Sequence, residues 1–93
     1  MYFITTVSEQ HGNRCVGYYA KWVKAIKAVE NNNLDLNEAG YYPYAVIENV
    51  KEGIYQYDFK PLWFKFNDKT EKYEKIDKAP SFIGKYYIGF GIG

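Results

Sequence analysis

The sequence predicts an α+β domain: an antiparallel sheet of about four to five strands with one helix packed on one face. Three observations carry this expectation. Several short segments are dense in β-branched and aromatic residues or alternate apolar with polar, as half-buried strands do. A single segment, Ala20 to Asn31, changes to helical spacing. The chain has 93 residues, enough for one domain (1–93) that buries roughly 60–70% of its unfolded surface in a modest core.

Taken in order, Tyr2 to Ser8 reads as the first strand and ends at the turn-forming cluster Gln10-His11-Gly12-Asn13. In the helix, Trp22, Ile26 and Val29 fall on one face with Val23 and Ala25 beside them, and Lys21, Lys24 and Lys27 drift across the other side. Asn31-Asn32-Asn33 marks its end, because asparagine tolerates the left-handed cap conformation. Asp35 to Glu38 then forms one short turn that Gly40 breaks. Tyr42 to Val50 is a strand with Ala45 and Ile47 on one face and Tyr44, Val46 and Glu48 on the other; both faces look partly covered, which places it centrally. After a turn at Lys51-Glu52-Gly53, Pro61 introduces a strand in which Leu62, Phe64 and Phe66 alternate with Trp63 and Lys65. Asn67-Asp68-Lys69-Thr70 turns the chain back through Tyr73 to Ile76. The order is strand, helix, strand, strand, strand. At the C-terminus Tyr86, Ile88, Phe90 and Ile92 alternate with Tyr87, Gly89, Gly91 and Gly93. A face so bare of side chains implies a bend or bulge against the chain's own helix, or close approach by another backbone, ring or ligand. Its glycines lack dinucleotide-binding spacing and a following helix.

Eleven tyrosines, six phenylalanines and two tryptophans give one aromatic residue in five. Phe64, Phe66, Trp22 and about half the tyrosines are core positions by periodicity. The remainder pair an apolar body with a polar tip, which suits a binding surface. A net charge of +1 argues against phosphate-driven binding to duplex nucleic acid and against an acidic mimic of it. The lone Cys15 forms no internal disulfide, Met1 opens directly into a strand pattern, and no apolar run approaches the roughly 20 residues a membrane helix needs. The expectation is a soluble protein of a reducing cytoplasm that engages no membrane.

Catalytic constellations are thin, and the chain reads as a non-enzyme. His11 and Cys15 are explained by an exposed loop histidine and a buried strand cysteine. Glu38 belongs to a loop and Glu48 to the solvent side of a strand, and neither makes an acid–base pair. One His and one Cys do not make a metal site, and no cofactor is expected. Asp68 to Lys78 interleaves acids with lysines as a solvated hairpin does. The middle of the chain, with Glu30, Asp35, Glu38, Glu48, Glu52 and Asp58, is locally acidic. Arg14, the only arginine, precedes Tyr18 and Tyr19. It offers either an anion-and-base contact, aided by free N–H groups at the helix start, or an ordinary surface pair with a carboxylate.

The blocks Gly17-Tyr18-Tyr19, Ala25 to Asn33 with Asp35-Leu36-Asn37-Glu38, Tyr44-Ala45-Val46-Ile47-Glu48, Gly53-Ile54-Tyr55 and Trp63-Phe64-Lys65-Phe66 resemble a group of short uncharacterised proteins from gut Firmicutes and their phages. The resemblance implies a phage context, a host cytoplasm and an anti-defence role by analogy. Two expectations follow. The chain sequesters a small nucleotide immune signal, such as a cyclic nucleotide or ADP-ribose derivative, at a homo-oligomer interface, using Arg14, Tyr18, Tyr19, Tyr42, Tyr44 and Tyr87 with Tyr41 nearby. Alternatively, exposed Tyr, Trp63 and Phe residues form an aromatic patch that grips a host defence protein. The first requires a concave site and the second a flat one.

Overall fold

The structure, a computed structural model, describes residues 1–51 and 61–83. The Gly53-Ile54-Tyr55 block, the glycine-alternating C-terminus and Tyr87 lie outside the described residues. Five strands form one antiparallel sheet: β1 (Tyr2–Ser8), β2 (Gly12–Tyr19), β3 (Tyr44–Asn49), β4 (Leu62–Asn67) and β5 (Lys72–Ile76), in the order β2-β1-β3-β4-β5. Among the described residues a single α-helix, α1 (Trp22–Glu30), packs on one face. The α+β architecture expected from the sequence is therefore the one observed, with β3 central as its doubly apolar pattern required.

The additional strand is β2, which the expected order of strand, helix, strand, strand, strand does not contain. It is an edge strand of exposed and half-exposed residues, so it lacks the alternating burial that marks a strand. Gly12, at φ +82°, opens it in a conformation other residues resist. A bulge at Val16, between the Thr5–Cys15 and Ile4–Gly17 pairs, shifts its register. Cys15, expected to be buried, is exposed on this edge.

The helix begins at Trp22, after Lys21, and no side chain caps it. Its buried stripe is Ala25, Ala28 and Val29, which join Ile4, Ala45, Ile47, Phe64 and Tyr73 in the main core cluster. Trp22 and Val23 are 45% and 55% exposed, against the expectation that Trp22 lies in the core. At 3.6 residues per turn Trp22 sits about 60° round from Ala25, at the margin of a stripe narrowed by its small alanines. Its ring instead leans on Tyr2 at the sheet end, 6.0 Å between centroids. Phe66 is half-buried and edge-on to Tyr73 at 5.3 Å.

On the opposite face Val7, Val46 and Trp63 form a second cluster, packed by Tyr44, Ile76, Ala79, Phe82 and Ile83. Trp63, expected as an exposed anchor, is therefore buried, because this face of the sheet is covered as well. Glu48, expected on a solvent-facing side, is fully buried because β3 is covered on both faces. Thr5 is also fully buried, and its Oγ1 has no hydrogen-bond partner. An unpaired buried hydroxyl carries its full desolvation cost, so Thr5→Val is expected to stabilise the fold by about 1 kcal/mol. Urea unfolding checks this as a raised midpoint with unchanged slope; a lowered midpoint would contradict it.

Candidate ligand groove

The loop from the end of α1 to β3 builds one wall of a groove, and its backbone is unusual. Asn32, Leu34, Asp35, Glu38 and Ala39 all have positive φ, from 49° to 59°, and Gly40 follows at 107°. Each left-handed non-glycine residue costs about 1 kcal/mol or more, so this path requires compensating bonds. The Asn37 N–H donates to Asn32 Oδ1 at 3.0 Å, and Asn37 Nδ2 donates to the Tyr42 carbonyl at 2.9 Å. The Tyr42 N–H donates back to the Asn37 carbonyl at 3.0 Å. From β5 the Tyr73 hydroxyl donates to the same Tyr42 carbonyl at 2.6 Å, tying the loop to the core. Burial pushes the Tyr73 phenol well above its ordinary pKa; the Asn37 side chain pulls it partly back, and Asp35 and Glu38 add to the rise.

The groove itself, of about 420 Å³, runs between this loop, the C-terminal end of α1 and β2. Ile4, Val16, Ala28 and Leu36 give it an apolar floor, and Arg14, Asp35 and Glu38 line it with charge. The β2 bulge supplies Val16 to that floor. Arg14 Nη1 donates to Glu38 Oε2 at 3.0 Å, with the two side chains 61% and 35% exposed. The carboxylate-pair reading of Arg14 is thus the one observed, and Glu38 is the partner that sequence alone did not identify. An exposed pair of this kind contributes little, so Arg14→Ala is expected to change stability by less than about 1 kcal/mol in thermal unfolding.

The expected site residues divide. Arg14 and Tyr19 line the groove together. Tyr18 also borders it, but its ring lies against Phe3, 5.5 Å between centroids, a pair that faces away from the helix. Successive strand residues point to opposite faces, so Tyr18 and Tyr19 do not stack on one base. Tyr42 contributes its backbone to the loop lock. Tyr44 stands on the opposite face, against Phe82 at 5.7 Å. Leu34, fully exposed at the groove, and Leu36 are lining residues that sequence reasoning missed; the three-asparagine run and Gly40 bracket the loop that carries them.

His11 sets its ring against Tyr41, 4.8 Å between centroids, and Cys15 Sγ is directed to the Gly17 carbonyl at 3.9 Å. Glu38 and Glu48 stand on opposite sides of the sheet. Among the described residues no group of three or more His, Cys, Asp or Glu is placed to hold a metal ion, and no helix is long and apolar enough to cross a membrane. No family model, curated protein or solved structure matches the chain.

Proposed function

We propose that this chain is a non-catalytic binding protein that sequesters a small nucleotide-type ligand in the groove. The observation that supports the reading is a hollow of about 420 Å³ joining an apolar floor to Arg14 and Tyr19. Sites for small molecules have this size and this mixture of apolar lining with a few polar groups. Tyr19 offers a ring to a base, and Arg14 offers a planar fork to a phosphate. Because Glu38 now holds Arg14, a phosphate has to exchange with that carboxylate, and the weakness of an exposed ion pair makes the exchange inexpensive. A second copy of the chain closing the open side belongs to the same proposal, since one small domain encloses little of a nucleotide. In the phage setting suggested by the sequence, the effect is to deplete an immune signal.

Calorimetry against cyclic dinucleotides, cyclic trinucleotides and ADP-ribose derivatives tests the reading. Arg14→Ala is expected to weaken binding by about 1–3 kcal/mol, the range for a truncated charge-assisted contact. Glu38→Gln is expected to tighten it, because it frees the guanidinium and removes a repelling charge. No binding by any member at high micromolar concentration would overturn the proposal. The second reading, a protein-binding inhibitor, draws on Trp22 and Val23, exposed side by side on the first turn of α1. Those are the anchor positions such an interface would use against a host defence protein.

A further inference from the structure

A second hollow of about 420 Å³ lies apart from the groove, between the β1–β2 turn, the segment Gly40 to Tyr44 and the short 3-10 turn Ser81–Ile83. Four rings line it: His11, Tyr41, Tyr44 and Phe82. They stand as two contacting pairs, His11 with Tyr41 at 4.8 Å and Tyr44 with Phe82 at 5.7 Å. Tyr44 and Phe82 are half-buried against the Val7, Val46 and Trp63 cluster, so that wall is already built. The turn bearing His11 is fixed by Ser8 Oγ, which accepts the N–H groups of Gln10 and His11 at 3.2 and 3.1 Å. Among the described lining residues there is no Lys or Arg, and Glu9 is the one carboxylate.

We infer that this hollow binds an alkylated ammonium, either as a free choline-type cation or carried on a methylated lysine side chain. Aromatic faces are electronegative and attract a cation placed over them. Methyl groups on the nitrogen keep its charge while offering apolar surface to the rings, whereas a bare ammonium would have to shed strongly held water. Glu9 adds a compensating charge without the three ligands a metal would require. An anion finds no cation in the described lining.

The test is an NMR and calorimetric titration of the full chain with choline, with its neutral carbon isostere dimethylbutanol, and with a trimethyllysine peptide and its unmodified counterpart. Choline is expected to shift the resonances of Tyr41, Tyr44 and Phe82 and to bind roughly 2–30-fold more tightly than the isostere, the span of cation–π energies. Glu9→Gln is expected to weaken choline binding several-fold. Tyr41→Leu, at an exposed position, should weaken it further with an unchanged unfolding temperature. Tighter binding of the trimethyllysine peptide than of choline assigns the cation to a protein side chain, and equal or weaker binding assigns it to a free cation. Equal binding of choline and its isostere, or no shift of the three rings at about 100 mM choline, would overturn the inference.

Discussion

Phe64→Ala is expected to lower stability by about 3–5 kcal/mol, the largest loss from any single truncation in the described core. The ring is 1% exposed on β4, between Ala45 on one neighbouring strand and Lys75 on the other, in the cluster that includes Ala25, Ala28 and Val29 of the helix. Three of those neighbours are alanines. They have no side-chain length with which to reach into the space a deleted ring leaves, so the cavity stays open and its cost is paid in full. Against a typical domain stability of about 5–15 kcal/mol, the variant stands close to unfolding. Urea titration measures the loss, and a change below about 1.5 kcal/mol would show that the layers collapse onto one another. Trp22→Ala provides the contrast: a larger ring, 45% exposed, is expected to cost less than Phe64 does.

Tyr73→Phe is expected to cost about 1–3 kcal/mol at neutral pH, by removing the hydroxyl that donates to the Tyr42 carbonyl at 2.6 Å. Its signature is the pH dependence. The folded state holds the phenol proton more tightly than the unfolded chain, where tyrosine titrates near pH 10. Above about pH 10 the unfolded chain therefore binds fewer protons than the folded one, and stability falls as pH rises. The contribution is present in full below about pH 10 and is lost progressively above it. Phenylalanine has no such proton, so the gap between wild type and variant narrows as pH climbs from neutrality into the alkaline range. Urea midpoints across that range check it; a gap that stays constant would exclude Tyr73 as the group responsible.

Much of the fold was legible because β1, β3 and β4 carry apolar side chains at period two, β1 and β3 on both faces, and because the turn after β4 returns the chain through Tyr73 to Ile76. What the pattern could not show was burial that depends on neighbours. Glu48 looks like a solvent-side residue until both faces of β3 are covered. In α1 the weight of Trp22 suggests a core position, yet Ala25 and Ala28 are what touch the sheet. The strand β2 escaped because an edge rich in glycine and polar residues has no periodicity to read. On β2, strand alternation is what separates Tyr18 from Tyr19. The pairing of Arg14 with Glu38, 24 residues apart, follows from the path of the left-handed loop and not from any local signal.

The position of β1 between β2 and β3 bears on how the chain folds. The β1–β2 and β4–β5 hairpins close over a few residues and form on the microsecond scale. The β1–β3 seam joins Tyr2 to Asn49, and the Val50 N–H donates to the Met1 carbonyl at 2.7 Å. Closing it requires the intervening hairpin, helix and loop to be gathered into a single turn of the chain, an entropic toll that precedes any reward from the core. The slow step of folding is thus expected at the β1–β3 seam, where the two local hairpins are joined into one sheet.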